Sequence, residues 1–368
     1  MNAHLLLIAI SLATFLAGVA LPLGIGRFGN RRQFEQPRPR PLRLGASIEI
    51  IIPAYLEAGE IDQTIQALRP QLANWPGDAS ITVVASDDAT SRAASAADKI
   101  LSVGRAGKPM ACNLGVTDSQ ADIILFMDAN CRIIPDDWAR LLHLHLQNWS
   151  LVSADKRESN GSETAFWRLE SAIKRGSSGS IGSLAVVGEF VAFRRIDYRL
   201  LPTTVVLDDL WLAFDFHQNG LSVTVSSDIA TTEPAASRRD QWERRVRISA
   251  GLLTEAIPRL PWLMTTPAGR IYAAHKLYRA TLGVAAFWTA VAASAMLFPI
   301  VTAPLAILVI GLAVAHSSGR IPFKLPFGQF FSLVGLQAVP LAGAFRALQR
   351  VTRASKEHVN NGWTKIAR

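Results

Sequence analysis

Cysteine is almost missing from this chain. The 368 residues hold two, Cys112 and Cys131, with no spacing that suits a metal. That excludes a disulfide scaffold and a zinc-binding module, and it fits a reducing compartment. No Gly-x-Gly-x-x-Gly comes after the first strand-like run, so the usual dinucleotide fingerprint is absent. Lys108 comes after Gly104 and Gly107, but the spacing is wrong and no Ser or Thr comes next, which excludes a P-loop. No catalytic cysteine or Ser-His-Asp arrangement competes for a covalent mechanism, and His217 falls in a helical pattern where it reads as packing. The first four residues carry no Lys or Arg, as a signal peptide's opening would.

What is present is apolar length and clustered positive charge. Mean hydropathy is +0.22, high for a soluble enzyme. Lys and Arg outnumber Asp and Glu by 38 to 29, a net charge of +9. The basic residues gather in 27–43, 238–247 and 346–356. Each cluster lies beside an apolar segment or in a candidate nucleotide site. That distribution suits anionic lipid and an anionic substrate, and argues against nucleic acid as the partner.

Residues 5–25 are apolar or small and uncharged, long enough to cross a hydrocarbon core. A cleaved signal peptide is the rival reading. Arg27, Arg31 and Arg32 come after the run. The positive-inside rule therefore sends the N-terminus outward and keeps the chain beyond Arg27 in the cytoplasm. Pro37-Arg38-Pro39-Arg40-Pro41 then reads as a short stiff linker.

From about 45 to 250 the pattern alternates. Ser47–Ile52 is strand-like and is expected to stop at Pro53. A helix is expected over Glu60–Arg69, a strand over Ile81–Ala85, a small-residue helix over 90–100 and a short strand at Leu101–Val103. Lys108–Thr117 reads as a helix and Ile123–Met127 as a strand. Such alternation predicts an α/β domain with a mostly parallel, helix-covered sheet. Ligands of open α/β sheets bind at the carboxyl edge. Two later strands end there in acids, Asp87-Asp88 and Asp128. Read singly, these are ordinary polar loop residues; together they suggest one site. Asp128-Ala129-Asn130 sets a carboxylate two residues before an amide, a pair able to hold a divalent metal over a phosphate.

Four of these segments, in order, resemble the inverting family 2 glycosyltransferases of GT-A fold. Ile50 to Glu57 is similar to their opening strand and loop, which carries Pro53, Tyr55 and Glu57 to the nucleotide site. Val83 to Thr90 resembles the nucleotide-binding loop, where Asp87 takes the place of the aspartate on uracil and Asp88 stands where glycine is commoner. Gly107 to Asn113 resembles the Gly-Lys-x-x-Ala-x-Asn segment, whose lysine, here Lys108, lies near the nucleotide. Asp128-Ala129-Asn130 corresponds to the Asp-x-Asp motif for Mg²⁺ or Mn²⁺, with an amide replacing the second carboxylate. Further on, Ala185 to Arg195 resembles the glycine-containing segment beneath the acceptor. Asp208-Asp209 is similar to the family's Glu-Asp pair, whose second acid is the general base; helix capping is the other reading of the pair. Gln241 to Arg245 resembles the Gln-x-x-Arg-Trp motif of membrane polysaccharide synthases. Gln241 and Arg244 keep their places at the pyrophosphate, while Arg245 replaces the tryptophan. A solvated basic helix face is the plainer alternative there.

Beyond 250, Pro258, Pro261 and Pro267 break a moderately apolar stretch with interfacial character. Leu282–Phe298 and Val301–Ala315 fit a tight membrane hairpin, with Lys276, Arg279, Arg320 and Lys324 holding both ends in the cytoplasm. Phe327–Phe345 has the length to cross, but the basic tail at Arg346, Arg350, Arg353 and Lys356 favours an interfacial or re-entrant segment. The expected order is a transmembrane helix (1–26), a basic linker (27–45), the GT-A domain (46–250), an interfacial segment (251–280), a transmembrane hairpin (281–317), and a re-entrant segment with basic tail (318–368). The resemblance implies a multi-pass inner-membrane enzyme with its catalytic domain in the cytoplasm. It would move a sugar from a nucleotide-diphosphate donor, UDP-linked by the family pattern, to a lipid or growing glycan. A partner in glycan synthesis or export is a further expectation. Asp88, Asn130 and Arg245 sustain a second reading, a catalytically impaired scaffold for another enzyme.

Overall fold

The computed structural model describes residues 3–29, 39–157, 168, 170–174, 181–233, 237–297, 299–321 and 327–354. Arg31, Arg32, Pro37, Arg38, Lys324 and Lys356 of the expected basic clusters lie outside the described residues. The chain forms two compact units, one within Phe28–Ala235 and one assembled from Met1–Arg27 and Ala236–His358.

Helix α1 (Ala3–Gly29) opens the chain and belongs mostly to the second unit. The first unit then runs β1 (Ile48–Ala54), α2 (Ile61–Leu72), β2 (Ala79–Ala85), α3 (Asp88–Ala93), β3 (Lys99–Ser102), α4 (Lys108–Asp118), β4 (Ile123–Met127), β5 (Arg132–Ile134), α5 (Trp138–Leu146), β6 (Leu151–Lys156), β7 (Phe190–Arg194), α6 (Asp208–Gln218) and β8 (Val223–Thr232). The strands form one sheet in the order β3-β2-β1-β4-β7-β6-β8-β5. Every residue of β1 and β4 is buried; β4 reads as an unbroken apolar run, while β1 is broken by one acid, Glu49, whose side chain accepts from Thr82 Oγ1 and Ser119 Oγ. On α2 the buried residues Ile61, Ile65, Leu68 and Leu72 keep the helical repeat and face the core below β1 and β2.

Three expectations need correction. Pro53 does not stop β1: it pairs in register with Val84, and the strand ends at Ala54. Ala54 accepts from Ser86 N at 2.9 Å on the β2 side, so Pro53 faces the β4 side. Pairing with β4 has already ended at Ile51, and no ladder bond is lost where proline lacks its N–H. The helix expected over 90–100 is the short α3, and β3 begins earlier, at Lys99, because it pairs with β2 from Thr82↔Lys99 onward. The sheet is parallel across β3, β2, β1 and β4; β7 joins β4 and β6 antiparallel, and beyond it β6 pairs with β8 in parallel while β5 joins β8 antiparallel. Return strands that bring the chain back to the same edge leave no periodicity in sequence, so this half was hidden.

In the second unit α1 meets the later helices: the Tyr278 hydroxyl donates to Thr14 O at 2.8 Å, and the Phe15 and Phe287 rings lie 5.7 Å apart. Three stretches are long and apolar enough to cross a membrane, Pro267–Leu297, Pro299–Ser317 and Phe330–Gln349; Ala3–Gly18 is a shorter apolar one. Ile300 is 90% exposed and Ile307 73%, as side chains that face lipid would be. Phe330–Gln349 is divided at Gln337-Ala338 between helices Gly328–Leu336 and Val339–Ala354. The latter packs along helix α7 (Arg238–Ala256), with Gly343 pressed on Ser249 so closely that a Cβ would sit 2.7 Å from the serine side chain.

Candidate active site

The carboxyl ends of β1, β2 and β4 open on one edge of the sheet, and the expected residues of the first unit gather there. On the β2 side, Asp87 caps α3. Its Oδ1 accepts from Thr90 N at 2.9 Å, and its Oδ2 accepts from Thr90 Oγ1 at 2.8 Å and Leu56 N at 2.7 Å. Glu57 N donates to Thr90 Oγ1 at 2.9 Å. Leu56 adopts the left-handed φ of 56°, which turns the loop back so that both amides reach this corner. Partial burial pushes the Asp87 carboxyl up, but the hydrogen bonds from Thr90 and Leu56 outweigh it and hold the group below the usual carboxylate value. Beside it the Arg105 guanidinium lies 5.4 Å from the centre of the Tyr55 ring, a cation–π contact.

On the β4 side, Lys108 is the hub. Gly107, at φ 88°, makes the sharp entry into α4 that only glycine adopts freely, and Lys108 is the helix's first residue. The Lys108 ammonium donates to Asp128 Oδ1 at 2.7 Å, lies 3.4 Å from Asp208 Oδ2, and reaches Gly188 O at 3.4 Å. Burial alone would lower its pKa; the Asp128 and Asp208 carboxylates raise it well above the ordinary lysine value, so it stays charged. Asp208 and Asp209 occupy the first turn of α6. The cap position is Leu207, whose side chain makes no cap bond, but Asp209 Oδ1 accepts from Leu210 N at 2.8 Å, so the acidic pair also serves a free amide of the first turn. A helix N-terminus is a position that favours negative charge. Gly188 fits against Asp209 so tightly that a Cβ would lie 3.1 Å from Oδ2. Phe126, Val191, Leu201 and Leu212 form the apolar wall of a small pocket beside these groups.

Asn130 sits three residues past the end of β4 and is half-buried; among the described residues no hydrogen bond engages its amide. Among the same residues no group of three His, Cys, Asp or Glu could hold a metal by itself. The donors present, one carboxylate oxygen of Asp128 not engaged by Lys108 and the Asn130 carbonyl, are hard oxygen ligands of low total charge. They fit Mg²⁺ or Mn²⁺ that arrives with a diphosphate supplying the remaining oxygens.

Gln241 and Arg244 lie on α7, in the other unit, both half-buried, with Glu243 paired to Arg346 at 3.1 Å. Asn113 serves the fold: its amide donates to Leu201 O at 2.8 Å and accepts from Tyr198 OH and Leu201 N at 2.7 and 2.8 Å. His217 is half-buried on α6, and desolvation lowers its pKa. A buried ionic group, Lys156 with Glu189 and Glu233, was missed by the sequence reading. Its signal was Glu189, a lone charge inside the apolar run Val186–Phe193.

A mixed α/β sheet with an acidic, lysine-bridged carboxyl edge defines a GT-A-like fold. Residues 49–207 match the model of glycosyl transferase family 2. Across 95% of this chain and 100% of its own, a mannosyltransferase from Pyrobaculum calidifontis, solved in complex with GDP-mannose and Mn²⁺, superposes with a TM-score of 0.68 at 20% identity. Mannosyl-3-phosphoglycerate synthase from Rubrobacter xylanophilus covers 59% of this chain and 76% of its own, with a TM-score of 0.44 at 18% identity. Glucosyl-3-phosphoglycerate synthase from Mycobacterium tuberculosis, solved with Mn²⁺, UDP-glucose and phosphoglyceric acid, covers 60% and 88%, with a TM-score of 0.40 at 18% identity. No curated protein sequence matches the chain.

Proposed function

We propose that this protein is an inverting, membrane-attached glycosyltransferase that moves a hexose from a nucleotide-diphosphate donor to a lipid or growing glycan. The observation that carries this reading is Lys108 bridging Asp128 and Asp208 beside Asp209 and Gly188. Asp209 takes the proton of an acceptor hydroxyl as its oxygen bonds to the anomeric carbon. The bond from that carbon to the diphosphate oxygen breaks on the opposite face, so configuration inverts. Asp128 and Asn130 would hold a divalent ion, which when bound supplies positive charge to the leaving diphosphate. Lys108 adds a fixed cation there, and Arg244 is assigned to the same diphosphate, where a guanidinium grips two oxygens at once. Asp87, with Pro53, Tyr55 and Glu57 in the facing loop, receives the nucleoside.

The placement we assign is the inner membrane, with residues 46–250 in the cytoplasm, α1 and the hairpin 281–317 as anchors, and 318–368 along the cytoplasmic face. The acceptor is then a lipid or a glycan handed to the membrane, and a partner in glycan synthesis or export would meet it there. The donor is assigned as UDP-linked, with GDP-sugars as the competing class because the mannosyltransferase that superposes on the chain was captured with GDP-mannose.

The test uses membranes holding the full chain, a panel of labelled UDP- and GDP-sugars, and Mg²⁺ or Mn²⁺. Label should enter an inverted product with one donor. Asp209→Asn should lower kcat by on the order of a thousandfold while donor binding persists. Undiminished transfer by that variant sinks the base assignment. Nucleotide bound without turnover for any donor and acceptor favours the impaired scaffold that Asn130 and Arg245 keep in view.

A further inference from the structure

Three charged side chains lie under the active site and take no part in the chemistry above. The Lys156 ammonium pairs with Glu189 and, at 2.7 Å, with Glu233; side-chain exposure is 6% for Lys156, 2% for Glu189 and 7% for Glu233. The second Glu189 oxygen accepts from Thr231 Oγ1 at 3.0 Å. Stability does not account for such a group. Stripping water from three charges costs as much as their attraction returns, and an apolar filling of the same volume would do as well.

What distinguishes the group is the turn it holds. Val187-Gly188-Glu189 touches all three parts of the site: Gly188 O meets Lys108 at 3.4 Å, Gly188 Cα faces the Asp209 carboxylate, and Glu189 O accepts from Asp128 N at 3.3 Å. The turn is fastened from below at two points, both on β6. Ser153 Oγ accepts from Val187 N at 2.8 Å and donates to Val187 O at 3.2 Å. Lys156 takes the Glu189 carboxylate. We propose that Glu189 is a positioning residue, and that Ser153 and Lys156 clasp its turn to set Asp128, Lys108 and Asp209 at fixed separations. The inference rests on the glycosyltransferase reading for its catalytic consequence, and on geometry alone for the clasp.

The test compares full-length Glu189→Gln, Ser153→Ala and Glu233→Gln proteins in detergent, by transfer kinetics and by amide hydrogen exchange of the peptide containing 187–190. Glu189→Gln should lower kcat roughly tenfold, leave donor KM within about twofold, and speed exchange at the turn. Ser153→Ala, a small change that keeps all the charges, should move both readouts the same way to a lesser degree. Glu233→Gln leaves the Lys156–Glu189 pair in place and should change neither. A folded Ser153→Ala protein with unaltered kcat and exchange overturns the clasp, even where Glu189→Gln fails to fold. So does a Glu233→Gln protein as impaired as Glu189→Gln. Should the unaltered protein transfer no sugar from any donor, the functional reading falls, and the exchange at 187–190 still decides the clasp.

Discussion

The two carboxylate corners of the sheet edge are held in opposite ways. Asp87 is saturated by its own chain, with three donors from Leu56 and Thr90 on its two oxygens. Asp128 and Asp208 instead share one ammonium, Lys108, with carboxylate oxygens to spare. The β2 corner is finished before any ligand arrives, whereas the β4 corner carries more negative charge than its single cation neutralises. A preformed corner suits recognition of an uncharged base. An unbalanced one suits chemistry in which cations and protons must exchange.

Replacing Lys108 by Met breaks the contrast most severely. Two carboxylates then face one another uncompensated, and kcat/KM should fall on the order of a hundredfold, with the protein still folded by circular dichroism. A Lys108→Met enzyme of normal activity would show that the ammonium is only structural. Asn130→Asp sharpens the same corner from the other side. One more carboxylate should lower the Mn²⁺ concentration for half-maximal binding roughly tenfold, read by Mn²⁺ paramagnetic resonance with nucleoside diphosphate present. No change there would move the metal away from Asn130. The smallest effect falls on the finished corner. Asp87→Ala should cost about 1 kcal/mol in urea unfolding through the lost cap. Because the folded Asp87 carboxyl titrates below its ordinary value of 3.8, its contribution is complete above that pH and fades as pH falls through the folded value. The two unfolding curves should therefore converge in acid; a gap that widens instead would refute the capping role.

The parallel half of the fold was legible because β1, β2 and β4 are short, largely apolar runs, because acids follow β2 and β4, and because α2 keeps a strict helical repeat. The grouping of the candidate site was legible to the same depth. Lys108, Asp128, Asp208 and Asp209 were each marked by a strand end or a local motif, and they meet in space. What escaped was long-range. That Lys108 bridges residues 20 and 100 positions further along the chain depends on sheet order, which no local pattern encodes. Pro53 misled because its meaning depends on where the pairing of β1 with β4 stops. The Ser153–Val187 and Lys156–Glu189 contacts join β6 to a turn more than thirty residues away.

The bond from Tyr278 to Thr14 spans 264 residues of chain. During synthesis α1 leaves the ribosome before the sheet unit, yet its partners at Tyr278 and Phe287 are made only after the whole sheet unit. At roughly 5–20 residues per second that interval lasts on the order of tens of seconds. The sheet unit is synthesised inside that interval, so the α1 contacts of the helical unit can form only after the sheet unit has been made. The order in which these contacts can form is written into the position of one tyrosine.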